Sequence, residues 1–293
     1  MSVVFSFPGF ETIADNIAAK LNFRRGDVTV RHFPDSESYV RLETPVAGQD
    51  VIIVCGLEHP DHKIMALMFF SHVAREMGAT SVGLVAPYLG YMRQDKRFHD
   101  GEAITSDIFA AFLSQIVDWL VTIDPHLHRH ERLDEIYSIP NRVIHASGLI
   151  AAWIRDNING PVLIGPDMES EQWVSQVAKD AEAPFIILRK IRHGDRDVEI
   201  SVPDVKAYKD HTPVLVDDII STAHTMIETV GHLKAAGMKP PVCIGVHGVF
   251  AARAYENLQA AGVENIITSN SITHPSNGIN IEDIITDAVA EMK

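Results

Sequence analysis

Val214-Leu215-Val216-Asp217-Asp218-Ile219-Ile220-Ser221-Thr222-Ala223-His224-Thr225 is the stretch whose reading decides the fold of this chain. The apolar run Val214-Leu215-Val216 predicts a short buried strand. Two adjacent carboxylates, Asp217 and Asp218, leave its carboxyl end. A loop of small hydroxyl residues follows, and a helical pattern begins around Met226. In an open parallel sheet, ligands sit beyond the carboxyl ends of the strands. Amides at a helix N-terminus, with the hydroxyls of Ser221, Thr222 and Thr225, suit a phosphate. Paired Asp residues suit sugar hydroxyls, or a metal carrying them. The stretch therefore predicts an α/β sheet with chemistry for a sugar phosphate.

Strand-like and helix-like segments alternate on either side of it. Val3-Val4-Phe5, Val51-Ile52-Ile53-Val54, Val82-Gly83-Leu84-Val85 and Leu120-Val121-Thr122-Ile123 read as strands. Amphipathic patterns over 11–21, 64–77 and 104–116 lie between or before them. The rhythm restarts after the Ile139-Pro140-Asn141 turn. Pro161-Val162-Leu163-Ile164, Phe185-Ile186-Ile187-Leu188, Val242-Cys243-Ile244-Gly245-Val246 and Ile266-Ile267-Thr268 form a second set, with helical patterns over 170–181 and 281–292. Parallel βαβ units applied twice predict two α/β domains, 1–145 and 146–293. A length of 293 residues fits that division, and 46% hydrophobic residues can fill two cores.

Charge narrows the partners. Lys and Arg total 25 against 39 Asp and Glu, a net charge of −14. Such a chain is a poor general binder of nucleic acid, which needs a basic surface. Arg93, Lys96 and Arg97 then stand out as a local cationic cluster. Cys55 and Cys243 lie in apolar runs and read as buried, reduced thiols of a cytoplasmic protein. Residues 1–9 show no signal-peptide pattern, and no apolar run is long enough to span a bilayer.

Further polar segments follow apolar strands. Pro87-Tyr88-Leu89-Gly90-Tyr91-Met92-Arg93-Gln94-Asp95-Lys96-Arg97 is at its simplest a solvated loop. Its Arg forks and Gln also suit a nucleoside triphosphate. Asp124-Pro125-His126-Leu127-His128-Arg129-His130 could be a metal cluster, but such clusters need more ligands nearby. Spacing alone leaves His126 undecided and makes His128 and His130 ordinary polar residues. Asp167, after Gly165-Pro166, is a helix cap or repeats the strand-then-carboxylate geometry of Asp217. Lys190 and Arg192 share one side of an extended segment. They are either a charged hairpin edge or a cationic arm over polyphosphate. Phe33-Pro34-Asp35-Ser36-Glu37 is a turn between short strands, in which Phe33 alone reads as core. Neither the Gly-rich dinucleotide fingerprint nor the Lys-containing phosphate loop occurs.

Taken in order from about Phe33 to Ile284, these segments resemble the ribose-phosphate pyrophosphokinase family. The resemblance implies two tandem phosphoribosyltransferase-like domains, each with a mostly parallel sheet flanked by helices. It implies that Phe33, Asp35 and Glu37 reach the adenine of ATP held by a neighbouring subunit, and that Arg93, Gln94 and Asp95 bind ATP. His126 would contact the Mg²⁺ of MgATP, and Asp167 would face both metal and ribose. Lys190 and Arg192 would be catalytic. Asp217, Asp218, Ser221, Thr222, Ala223, His224 and Thr225 would hold ribose 5-phosphate. The chain departs from the family pattern at Ser221, in place of Asp, at His224, in place of Gly, and at Gly165, in place of Ser.

The implied reaction moves the diphosphoryl group of MgATP to the anomeric hydroxyl of ribose 5-phosphate, giving phosphoribosyl pyrophosphate and AMP. The implied partners are these substrates and further copies of the chain in a homo-oligomer, without nucleic acid or membrane. Three other readings stand beside it. A phosphoribosyltransferase would have no need of the Arg93 segment or the cationic arm. A non-catalytic regulatory paralogue would have lost the arm or His126. A metal hydrolase built on His126, His128 and His130 lacks matching ligands.

Overall fold

The apolar runs pair into two sheets of the same design. The structure, a computed structural model, describes residues 1–127, 129–165, 170–192, 198–201 and 205–293. At 172, 189–192, 198–201 and 206 the description is of the backbone. Two compact units result. The first comprises Met1–Ile144, Ser271–Thr273 and Ile281–Lys293, and the second His145–Asn270 and His274–Asn280.

In the first unit, β1 (Ser2–Ser6) leads to α1 (Glu11–Leu21), β2 (Arg24–Arg25) and an antiparallel hairpin, β3 (Val28–His32) and β4 (Ser38–Leu42). Then come β5 (Asp50–Val54), α2 (Ile64–Glu76), β6 (Ser81–Ala86), α3 (Thr105–Ile116), β7 (Trp119–Ile123) and β8 (Asn141–Ile144). The sheet order is β2-β1-β5-β6-β7-β8, with every pairing parallel. Helices cover both faces of such a sheet, so its strands read as continuous apolar runs. Val51, Ile52, Ile53 and Val54 are accordingly all buried. At Gly83 a Cβ would lie 1.9 Å from Trp119, so the indole lies flush on the neighbouring strand.

The second unit repeats the plan. It runs α4 (Ser147–Asn157), β9 (Pro161–Gly165), α5 (Glu171–Asp180), β10 (Phe185–Ile187) and the antiparallel pair β11 (Arg189–Arg192) and β12 (Val198–Ser201). After these come β13 (Thr212–Ile220), α6 (His224–Ala235), β14 (Val242–Gly248), α7 (Ala254–Ala261), β15 (Asn265–Ser269), β16 (Asn277–Ile279) and α8 (Glu282–Glu291). Its parallel sheet is ordered β10-β9-β13-β14-β15-β16, strand for strand the order of the first. In each unit the antiparallel hairpin enters between the second and third strands of the main sheet.

A single cut near residue 145 does not describe these units. The last helix, α8, returns to the first, where it packs on α1, β7 and β8. It buries Ile285, Thr286, Ala288 and Val289. Lys20 pairs with Asp283 at 2.5 Å, and the Thr286 hydroxyl donates to Asn16 at 2.8 Å. Both cysteines are buried and free, and burial raises both thiols, Cys55 to about 12. Among the described residues no helix is long and apolar enough to cross a membrane.

Candidate active site

The strand order of the second sheet reverses between β9 and β13, the place where open α/β sheets bind ligands beyond the carboxyl ends. The loop from Ser221 to Thr225 leaves β13 at that point. The strand is longer than its apolar run suggests, because β13 stays paired with β14 as far as Ile220 and Gly248. Asp217 and Asp218 thus lie inside the strand, half-buried, and alternate to opposite faces. The Asp217 carboxylate also accepts from the Asp218 amide at 3.0 Å.

The helix starts earlier than its apolar pattern, at His224. Its N-cap, Ala223, is buried and left-handed, with φ +55°. The left-handed position of this turn is therefore 223, not 224. His224 is an exposed first helical residue, Thr222 is exposed, and Ser221 and Thr225 are half-buried. Gly165 ends β9, where a Cβ would lie 2.6 Å from Ile187 Cδ1 and 2.8 Å from the Ser170 hydroxyl, so a Ser there would have to move those two side-chain tips. Asp167, Met168 and Glu169 lie outside the described residues.

Sequence reasoning passed over the neighbouring turn. The Phe250 amide donates to Ile220 at 3.0 Å, which brings the turn after β14 beside the Ser221 loop. Phe250, Ala252 and Arg253 all have positive φ. Phe250, Tyr255 and His274 pack ring on ring, with centroids 4.4–5.2 Å apart. Burial lowers the His274 pKa, opposed by the charge of Glu256. Only the two rings in Phe250 and Tyr255 hint at this cluster from sequence, since no glycine marks the left-handed turns.

In the first unit, the segment after β6 is anchored rather than merely solvated. Tyr88, Leu89 and Met92 are buried, and a Cβ at Gly90 would lie 2.7 Å from the Leu57 carbonyl. The Tyr91 hydroxyl bonds Asp61, which with burial pushes its pKa up to about 12. The chain then turns Arg93 outward. Thr105 donates to the carbonyl of Tyr91 at 3.1 Å and of Gln94 at 3.4 Å. Asp95 accepts from Arg129 at 3.1 Å. Asp124 is buried and left-handed at the end of β7, and His126 is half-buried two residues on. Position 128 lies outside the described residues. His130 is engaged by Glu135 at 3.2 Å.

The hairpin loop corrects one expectation. Phe33 is 40% exposed, not core. Its amide donates to Glu37 at 2.8 Å, and Asp35 accepts from the Glu37 amide at 3.3 Å. The loop is closed, so Phe33, Asp35 and Glu37 all remain exposed. Arg31 lies over the rings of Phe33 and Tyr39, at 4.7 and 4.2 Å. In the second unit, the backbone of Lys190 and Arg192 belongs to β11, paired with Ile200 and Val198. Their side chains, like positions 193–197, lie outside the described residues.

A six-stranded parallel sheet with an acidic strand feeding a hydroxyl loop at its switch point defines a phosphoribosyltransferase-like domain. Residues 132–281 match the family model of the phosphoribosyl transferase domain. Residues 2–116 match that of the N-terminal domain of ribose phosphate pyrophosphokinase. The ribose-phosphate pyrophosphokinase of Saccharolobus solfataricus is 31% identical, covering 88% of this chain and 87% of its own. That of Methanobrevibacter smithii is 29% identical, over 96% and 97%. The chain belongs to the ribose-phosphate pyrophosphokinase family. In fold it is similar to the crystal structure of phosphoribosylpyrophosphate synthetase from Mycobacterium smegmatis, with a TM-score of 0.86 over 99% of this chain and 98% of that one, at 22% identity.

Proposed function

We propose that the chain transfers the diphosphoryl group of MgATP to ribose 5-phosphate. The observation that carries this reading is the hydroxyl loop Ser221–Thr225 at the switch point of the second sheet, on a chain of this family. The anomeric hydroxyl oxygen bonds the β-phosphorus, the bond from that phosphorus to the α,β-bridging oxygen breaks, and the hydroxyl proton passes to solvent. AMP and phosphoribosyl pyrophosphate leave. We assign ribose 5-phosphate to Asp167, Asp217, Asp218 and the residues from Ser221 to Thr225, within the second unit. We assign ATP to the segment Arg93-Gln94-Asp95 and to Phe33, Asp35 and Glu37, within the first. Lys190 and Arg192 bear the charge that develops on the transferred group, a task of positioned cations rather than of a nucleophile.

Magnesium enters with ATP as part of the substrate. Among the described residues no group of three or more His, Cys, Asp or Glu could hold an ion. Magnesium arriving with ATP would keep most of its waters and need only one or two protein ligands. We assign His126 and Asp167 to it. When bound, the ion would supply charge that offsets that of the phosphates. The chemistry is that of a cytoplasmic enzyme of nucleotide precursor supply.

The test is direct. The chain is incubated with MgATP and ribose 5-phosphate, and products are read by mass spectrometry. AMP and phosphoribosyl pyrophosphate in equal amounts are expected. ADP as the only nucleotide product, or no turnover, sinks the proposal.

A further inference from the structure

We infer that Arg129 is a positioning residue for the nucleotide segment, acting through Asp95. The inference rests on the reading of residues 93–95 as part of the ATP site. The Asp95 side chain is only 8% exposed, and its carboxylate accepts from Nε of Arg129 at 3.1 Å. An ionised carboxylate withdrawn from water needs a partner. Arg129 comes from the loop after β7, whereas Asp95 lies in the loop after β6. These strands are parallel neighbours, so the pair joins two loops beyond their carboxyl ends.

Each side of this pair is itself held. Beside Asp95, the Gln94 carbonyl accepts from the Ser106 amide at 3.3 Å and from the Thr105 hydroxyl, both at the start of α3. Beside Arg129, the Glu135 carboxylate accepts from the amides of Glu131 and Arg132 at 3.0 and 3.2 Å. The same carboxylate meets His130 Nδ1 at 3.2 Å, while Asp107 of α3 lies 3.6 Å from the other ring nitrogen. The guanidinium thus spans two braced loops. A bare carboxylate next to Gln94 would repel a polyphosphate. Arg129 cancels that charge and adds a second hold on the segment to the bonds from the start of α3. Asp95 then serves the nucleotide by tying the segment to Arg129 rather than by touching it. Sequence offered no sign of this, because Arg129 stands among histidines that draw the metal reading.

The experiment compares the full-length wild type with Arg129→Ala, Arg129→Lys, Asp95→Asn and the Arg129→Ala/Asp95→Asn double variant. Initial rates give KM for each substrate, calorimetry gives the Kd of a non-hydrolysable ATP analogue, and Tm reports folding. Arg129→Ala is expected to raise KM for ATP and the analogue Kd about tenfold, an ordinary coupling between paired groups. KM for ribose 5-phosphate stays unchanged. Arg129→Lys recovers part of the loss. Adding Asp95→Asn to Arg129→Ala also recovers ATP binding, because no unpaired carboxylate remains. A double variant that binds ATP worse than either single would make Asp95 a direct ligand and overturn the inference. Equal losses for both substrates with a lowered Tm would overturn it too, leaving a structural pair. Normal ATP binding by Arg129→Ala overturns the inference alone. A wild type that binds no ATP overturns it together with the function it rests on.

Discussion

Ala223 holds a backbone that crowds its methyl group, at φ +55°, where the chain turns from the hydroxyl loop into α6. An L-residue there costs about 1–2 kcal/mol. Glycine removes that cost at an entropic penalty of about 0.5–1 kcal/mol. Ala223→Gly is therefore expected to stabilise the chain by about 0.5–1 kcal/mol, read as a higher urea midpoint with unchanged slope. A lower midpoint would contradict the strained turn. The succession of strand, hydroxyl loop and helix was legible in sequence, because an apolar run ends in carboxylates and small hydroxyl residues before the helical pattern starts. The loop's backbone was not, since alanine does not announce a left-handed turn as glycine does. For the same reason His224, and not Ala223, stands out in the sequence of this turn. Lys190 and Arg192 carry the other expectation at this scale. Replacing either with Ala should lower kcat roughly a hundredfold, the usual loss of one contact to developing charge, with little change in KM. Near-normal turnover in both variants would remove them from the reaction.

At the scale of elements, one carboxylate ties the start of β5 to that of β6. Asp50 accepts from the hydroxyls of Ser81 at 2.7 Å and Thr80 at 2.8 Å. These bonds, and the charge of Lys293, hold its pKa below the ordinary 3.8. A carboxyl depressed on folding contributes stability that is present above pH 3.8 and is lost as the pH falls below it. Asp50→Asn should therefore flatten the acid limb of a urea-midpoint profile below that pH and leave its shape near neutrality unaltered. An unchanged acid limb would show the depression to be immaterial to folding. The long amphipathic helices were legible: periodicity predicts 11–21, and α1 is Glu11–Leu21. The short α7 was not, since it buries little beyond Ala254 and Leu258 and shows no sustained period. The full length of β13 escaped as well. Its polar half, Asp217 and Asp218, is strand because β14 lies beside it, and pairing overrides the low strand preference of Asp.

At the scale of the molecule, two sheets share one strand order and each carries an inserted antiparallel hairpin. One hairpin bears Phe33, Asp35 and Glu37, and the other bears Lys190 and Arg192. The repetition was legible because the βα rhythm restarts. The resemblance to the family implies a homo-oligomer in which a neighbour's hairpin completes the ATP site, and the ring of Phe33 is exposed. Phe33→Ala should raise KM for ATP and spare KM for ribose 5-phosphate. Light scattering at assay concentration should find an oligomer, and a fully active monomer would rule out the shared site. What sequence could not say is where α8 belongs. Its apolar face of Ile285, Ala288 and Val289 fits any sheet-backed helix, and only the fold places it on α1, β7 and β8.

That return has a consequence for how the chain is made. While the ribosome adds residues 145–280, the first unit has all its strands and lacks the helix that packs on β7 and β8. At synthesis speeds of about 5–20 residues per second this interval lasts roughly seven to twenty-seven seconds, long against the folding of a small domain. The segment made first is thus completed last, and the second unit can close before it. A chain ending at residue 280 should keep slow hydrogen exchange in β13 and β14 but exchange β7 and β8 amides quickly. Equal protection of β7 and β8 with and without residues 281–293 would show that the first unit closes without waiting.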